Sequence, residues 1–308
     1  IFLENYKKAV KKLNECAFPS NPKLIICGSD QESNEPFKFF IAKNIINGTK
    51  LFHLQHGGSY GTSDDYPIEK IQLKLSDRFL TWGWKNQNKK IITSYCQKTH
   101  GVSIQQTKKS SGVIVPIFEW NLHPGDIQGG RPRNLNDINL YTKNLIIFFS
   151  SLKPEIRKKS AFKFFKYKEH YPNYILKKLK NKFDKKNFFH SHKSTYNFLE
   201  NFKINIETVN STGYLETLNL NLPTILIFDD QYCKIRKNVK KYFLLLEKAN
   251  ILFNNPENAA KFINKSYKFI DSWWKSAKVQ EAIKTFSNKF AKKTNDPYTF
   301  LKHIKKYD

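Results

Sequence analysis

Two short stretches of the chain carry residue types that could do chemistry, "HLQHGGSYGT" at 53–62 and "VNSTGYLETLNLNLPTI" at 209–225. In the second, an apolar run stops at Asn210, and Ser211 and Thr212 stand where the first turn of a helix should begin. The free N–H groups of a helix start, helped by the helix dipole and two hydroxyls, suit a phosphate group. Glu216 follows one turn on, on the same face as Thr212, where a carboxylate can accept hydrogen bonds from ribose hydroxyls. The plain alternative is an ordinary Ser/Thr cap with Glu216 exposed. The place of the motif, at the carboxyl end of a buried strand, tips the reading toward binding, because open α/β sheets take their ligands there.

The first stretch also follows a predicted strand. Gly57, Gly58 and Gly61 would let the backbone approach a ligand closely or adopt positive φ, and His56 would sit at the sheet edge. An imidazole of near-neutral pKa there could accept a proton from an acceptor hydroxyl or hydrogen-bond a donor phosphate. Asp64 and Asp65, with Glu69 beyond them, offer carboxylates that could be the base instead of His56, and the sequence does not rank them. His53 points to the other face of its strand and reads as structural. Taken alone, a His-Gly-Gly turn is a weak signal; a glycine-rich turn with a packed histidine has the same sequence.

Other candidates are weaker. Arg131 and Arg133 could grip a pyrophosphate or be exposed turn charges. His190 and His192 have a spacing that suggests metal, but no third ligand accompanies them, so no metal is expected. Trp82, Trp84, Trp273 and Trp274 read as packing residues.

The elements that must hold these residues alternate between apolar runs and amphipathic stretches, which predicts an α/β protein with parallel sheets. "KLIICGS" (23–29), "KLFHLQH" (50–56) and "SDRFLTWGW" (76–84) read as strands of a first domain, with a helix over "NEPFKFFIAKNIINGT" capped by Asn34 and stopped at Gly48. "GVIVPIF", "AFKFFKY", "INIETVN" and "PTILIFDD" read as strands of a second, with one long helix over 137–159 and a closing helix capped by Asp271 or Ser272. The expected layout is two Rossmann-like domains: 1–108 the later part of an acceptor-side domain, 109–285 a nucleotide-sugar domain, and 286–308 a last helix that could cross back to the first. The chain has no methionine, even at position 1, so it is expected to begin inside a longer product, with the first domain incomplete.

Forty per cent hydrophobic residues with 26 Phe and 15 Tyr exclude a disordered chain. No run of eighteen uncharged apolar residues and no secretory leader is visible, and four scattered cysteines predict reduced thiols, so a cytoplasmic protein is expected. The net charge of +27 raises a nucleic-acid binder as the alternative function. Against it, the basic residues are nearly all lysines spread over helix faces, and only five are arginine. The charge still suits anionic partners: a nucleotide-activated donor, or an anionic membrane touched peripherally.

"FHLQHGGSYG", "DRFLTWGW", "NSTGYLETLNLNLPTI", "NPENAAKFIN" and "DSWWKSAKVQEAIKTF", in this order and over nearly the whole chain, resemble a family of transferases from bacterial O-antigen and capsule gene clusters, which are similar to GT-B glycosyltransferases. The pattern from Ser211 to Pro223 is similar to that of capsule Kdo transferases, and the His-Gly loop to that of teichoic-acid glycerophosphotransferases. The resemblance implies transfer of a sugar from a nucleotide donor to a surface polysaccharide or lipid-linked glycan, without a metal or other cofactor, in an inter-domain cleft. It implies that Ser211, Thr212 and Glu216 grip the nucleotide and that the His56 loop carries the acceptor side; Gln55, Gly57, Gly58 and Tyr60 of the first loop, Asn210 and Gly213 of the second, and His190 are expected to bind alongside. Where that family is expected to have an arginine-led "R-x-Y-P", this chain reads "FKYKEHYPNY", so Lys166 or Lys168 would serve instead. A member that binds nucleotide without transferring it is the remaining alternative.

Overall fold

The computed structural model describes residues 5–64, 66–107, 109–118, 129–164, 174–296, 298 and 301–305. It divides into two compact units, one of Ile1–His56, Ile68–Tyr95 and Tyr298–Asp308, the other of Gly57–Pro67 and Cys96–Pro297. The units alternate along the chain, whereas the sequence suggested single cuts after 108 and 285. Nothing in composition marks 57–67 as belonging with the later residues.

The first unit is a parallel sheet of four strands in the order β1 (Leu24–Cys27), β2 (Lys50–Leu54), β3 (Arg78–Thr81) and β4 (Ile91–Thr93). Helices α1 (Tyr6–Glu15), α2 (Asp30–Ser33), α3 (Glu35–Ile46) and α4 (Pro67–Leu75) accompany it. Asn34 caps α3 as its sequence position suggests, its side chain accepting from Phe37 N–H at 3.0 Å. Leu13, Phe40 and Ile41 from the helices close over Ile25, Cys27 and Leu51 of β1 and β2.

The second unit is a six-stranded parallel sheet, β5 (Val113–Pro116), β6 (Ala161–Phe164), β7 (Phe188–His190), β8 (Ile204–Glu207), β9 (Thr224–Ile227) and β10 (Leu252–Phe253), in the order β10-β9-β8-β5-β6-β7. Around it lie α5 (Leu135–Ser151), α6 (Pro154–Arg157), α7 (Tyr174–Lys180), α8 (Thr212–Asn219), α9 (Lys240–Lys248), α10 (Pro256–Ser266), α11 (Ile270–Lys275) and α12 (Ala277–Phe290). Every residue of β5, β6, β8 and β9 is buried, as expected of a parallel sheet covered on both faces. From β5 the chain runs outward through β6 and β7, then returns to add β8 on the other side. The direction therefore reverses between β5 and β8.

Several expectations need correction. The helix expected over 137–159 breaks at Leu152 and Lys153, because Pro154 disfavours helical geometry before it and starts α6 instead. Its buried face includes Ile138, Tyr141, Leu145, Phe148 and Phe149. Asp271 and Ser272 lie inside α11, and Ser276 is the residue that precedes α12. Strands β4, β7 and β10, of two or three residues, were not foreseen.

Candidate functional site

The carboxyl ends of β5 and β8 flank the reversal point of the second sheet, the place where open α/β sheets leave a crevice for ligands. The loop after β8 leads through Asn210 and Ser211 into α8. Ser211 is in extended conformation, with φ −120° and ψ −163°, and its hydroxyl makes no capping hydrogen bond. Ser211, Thr212 and Gly213 are each half-buried, whereas every residue from Tyr214 to Asn219 is buried. The amino end of α8 is thus the accessible part of an otherwise enclosed helix.

The glycine loop of the opening motif packs directly on this helix start. Gly58 N–H donates to Thr212 Oγ1 at 3.0 Å across 154 residues of sequence. A Cβ on Gly58 would stand 2.0 Å from the Ser211 carbonyl oxygen, and one on Gly57 would stand 2.8 Å from Thr212 Oγ1. The close approach that the glycines permit is therefore to the backbone at Ser211 and Thr212. Only Gly61 of the three takes a positive φ, +70°, and Ser59 takes +68° beside it.

Behind this contact lies a buried polar layer. Ser59 Oγ reaches both Asn210 O and Gly129 O, and Asn210 N–H donates to Gly130 O at 2.8 Å. The Asn210 side chain is enclosed, its Oδ1 accepting from Tyr214 OH at 3.0 Å and its amide donating to Thr62 Oγ1 at 3.2 Å. Tyr60 is buried too, its ring edge-on to Tyr66 at 4.8 Å. Asn210 and Tyr60 hold the loop in place.

Glu216, four residues past Thr212, is buried on α8. Burial raises its carboxyl to about 7, an effect eased by the Lys98 ammonium. Asp64 is exposed, and its N–H donates to Lys234 O at 2.9 Å. His190 ends β7 at the edge of the sheet, exposed and stacked at a tilt on Phe164. No described contact brings it to α8. Asp65, Lys166 and Lys168 lie outside the described residues.

In the first unit, Gln55 is buried and turned toward the end of β3, where its Oε1 accepts from Trp82 N–H at 2.9 Å and Trp84 Nε1–H at 2.8 Å. His56 is half-buried, its Cβ 3.4 Å from where a Cβ on Gly28 would stand. His53 is fully buried on β2, and neither ring nitrogen has a hydrogen-bond partner among the described residues. Desolvation, and next the nearby His56, lower its pKa to about 4.

Sequence reasoning missed two residues of the second unit, Glu207 and Lys163. The only sign of them was a charge inside each of two apolar strands. Glu207, at the end of β8, lies against the start of α8 so closely that a Cβ on Gly213 would stand 2.3 Å from its Oε1. Burial, opposed by a hydrogen bond from Asn205, raises Glu207 to about 8, with Glu216 pushing the same way and Lys163 the other. Lys163 is fully buried on β6, with Nζ 5.9 Å from the centroid of the Phe198 ring. Among the described residues no cluster of three or more His, Cys, Asp or Glu could hold a metal ion, and no helix is long and apolar enough to cross a membrane.

Comparison with known proteins fixes the family. Residues 1–304 match the family described as "LIC12162 family transferase". The chain belongs to this transferase family. No curated protein sequence matches it. Among solved structures, it resembles a protein described as a UDP-N-acetylglucosamine 2-epimerase from Listeria monocytogenes, with a TM-score of 0.55 at 10% identity, over 95% of this chain and 77% of that one. The spinosyn rhamnosyltransferase SpnG gives a TM-score of 0.45 at 8% identity, over 98% and 77% of the two chains. WaaG, a glycosyltransferase involved in lipopolysaccharide biosynthesis, gives 0.42 at 13% identity, over 99% and 82%. The transferase has the α/β fold with two parallel sheets of the GT-B class.

Proposed function

We propose that this transferase moves a sugar from a nucleotide-activated donor, and that the donor's phosphate docks at the amino end of α8. The observation that carries the reading is the accessible start of α8, where the Ser211 side chain makes no capping hydrogen bond, at the reversal point of a doubly wound sheet. The charge that develops on the departing phosphate would be met by the first-turn amides, the helix dipole, and the Ser211 and Thr212 hydroxyls, without a metal ion. Glu216 would accept from the ribose. Its raised pKa means that the carboxyl also has a proton to give at neutral pH, so it can pair with a hydroxyl as donor or acceptor. Lys166, Lys168 and His190 are proposed as further phosphate contacts, and Gln55, Gly57, Gly58, Tyr60, Asn210 and Gly213 as the frame that shapes the two loops.

The acceptor would be a surface polysaccharide or lipid-linked glycan, a reading supported by the ordered motifs from "FHLQHGGSYG" to "DSWWKSAKVQEAIKTF". The excess of lysine would favour peripheral contact with an anionic membrane. For the base we propose His56, with Asp64 and Asp65 as rivals; separate alanine variants, assayed for transfer, tell them apart.

A thermal-shift screen against CMP, CDP, UDP, GDP and dTDP tests the donor site. A fitting nucleotide at about a hundred times its Kd should stabilise by about 2.7 kcal/mol, several degrees in Tm. The Glu216→Ala variant should lose most of that shift. If none of the five stabilises the parent, the reading fails.

A further inference from the structure

Beneath the start of α8 lies a charged layer that the reaction as proposed does not use. Pro116 of β5 pairs with Lys163 of β6, and Ile114 of β5 pairs with Asn205 of β8. Continuing that register brings Pro116 level with Glu207, so Lys163 and Glu207 flank the end of the central strand from its two sides. Neighbours in register share a sheet face. Asn205 Nδ2–H donates to Glu207 Oε1 at 3.0 Å and approaches Thr217 Oγ1 at 3.4 Å, which puts this face under α8. The short turn Thr195–Phe198, whose Phe198 ring faces Lys163, packs against α8 on the same side.

Such a layer is costly unless it acts. A buried carboxyl and a buried ammonium both lose hydration, and apolar residues of similar size would often serve stability as well or better. Asn205 Oδ1 has no hydrogen-bond partner among the described residues, a second sign that the layer is not optimised as core. What is fixed tightly is the contact of Glu207 with Gly213. The carboxyl occupies the space where any other residue at 213 would carry its side chain, so the second residue of α8 rests on Glu207.

We propose that Glu207 is a positioning residue for the donor phosphate: it sets the amino end of α8 through Gly213, and above neutral pH, where its carboxyl is ionised, it takes up a proton from solvent when a phosphate group docks there. The inference rests on the donor site proposed above. In the free protein the charges facing Glu207 are the Lys163 ammonium from β6 and the Glu216 carboxyl from α8, with the phenols of Tyr141 from α5 and Tyr214 from α8 close enough to feel it. A phosphate at Ser211–Gly213 would add negative charge beside Glu207, which lies against Gly213. Like charge disfavours ionisation, so the carboxylate binds a proton and becomes a neutral acid. The layer would thus keep a second negative charge away from the bound phosphate, while Lys163 stops Glu207 from being neutral at every pH.

Titration calorimetry with the nucleotide found in the screen, at pH 8.5 in two buffers of different ionisation enthalpy, counts the protons. At that pH a nucleoside diphosphate is already fully ionised, and Glu207, raised to about 8 in the free protein, is mostly so. The parent should take up about half a proton or more per nucleotide bound. Glu207→Gln should bind with no uptake. Lys163→Met should move the pH range of uptake upward, because the cation that favours the carboxylate is gone, a displacement that a purely structural role would not produce. Nucleotide binding by the parent without uptake overturns the proposal and leaves the donor site intact, and so does uptake that persists in Glu207→Gln. If no nucleotide binds the parent, both fall together.

Discussion

Gly58 donates its N–H to Thr212 Oγ1, and this bond joins a loop after β2 to the first turn of a helix 154 residues away. It explains why a glycine pair follows His56. The loop backbone lies on the backbone of Ser211 and Thr212, closer than any side chain would allow, so the loop becomes part of the wall around the start of α8. The same threonine hydroxyl that could meet a phosphate is already held in orientation by the loop.

Gly58→Ala should therefore be severe. Its Cβ would fall 2.0 Å from a backbone oxygen, which cannot turn away as a side chain can. We expect a loss of about 1–3 kcal/mol in urea unfolding and a nucleotide affinity at least about tenfold weaker. Gly48→Ala is the control: φ is +93° there, but the space is open, so only backbone strain applies, about 1 kcal/mol, with nucleotide binding unchanged. Equal effects from the two changes would show that the contact with Ser211 does not matter.

The parallel sheets were legible because their strands read as apolar runs such as "LIIC", though β1 leaves Ile26 exposed, and "TILI", buried throughout, and the cap at Asn34 because capping is settled within four residues. What was not legible is what depends on distant partners. Nothing near Gly58 in sequence points to Ser211, and nothing near Gly213 shows that Glu207 fills its side-chain space. Strands β4, β7 and β10 escaped because two or three residues carry no periodicity. The lysine and glutamate inside β6 and β8 were visible as charges in apolar runs, but only the register across β5 makes them a pair.

The stability contributed by two buried carboxyls should fall as pH rises from about 4.5 to 8. Glu207 and Glu216 have folded pKa values near 8 and 7, above an ordinary 4.5, so the native state holds protons that the unfolded chain has released. Their contribution is complete below about pH 4.5 and is lost as pH climbs through 7 and 8, on the order of a few kcal/mol in all. Urea unfolding from pH 6 to 9 should show this decline, and Glu207→Gln should flatten it. A curve unaltered by that substitution would mean that Glu207 is ionised at neutral pH.

His53 acts from the other side of the pH scale. Its folded pKa near 4 lies below the ordinary 6.5, so the unfolded chain takes up a proton that the native state refuses, and stability drops as pH falls from 6.5 toward 4. The loss is up to about 3 kcal/mol. Because neither ring nitrogen has a hydrogen-bond partner among the described residues, His53→Leu should fold as well as the parent at pH 7 and resist acid better. Unfolding curves at pH 7 and pH 4.5 decide it; a variant less stable at both would show that the imidazole makes a contact the native state needs.

The fit of Glu207 to Gly213 can be measured as a coupling. Gly213→Ala alone places a methyl 2.3 Å from the carboxyl oxygen and must displace either the side chain or the start of α8. Glu207→Ala alone removes the support and leaves Asn205 without its acceptor at 3.0 Å. In the double variant the methyl enters space the carboxyl has vacated, so the clash disappears while the hydrogen bond from Asn205 stays lost. The two changes should therefore be non-additive by about 1–3 kcal/mol in unfolding, with the double variant more stable than the sum predicts. Nucleotide affinity should behave differently: Gly213→Ala weakens it by moving the amides, the double variant recovers part of it, and only variants that keep Glu207 take up a proton on binding. Strict additivity in stability would mean that the carboxyl moves aside without cost, and that the start of α8 is set by something other than Glu207.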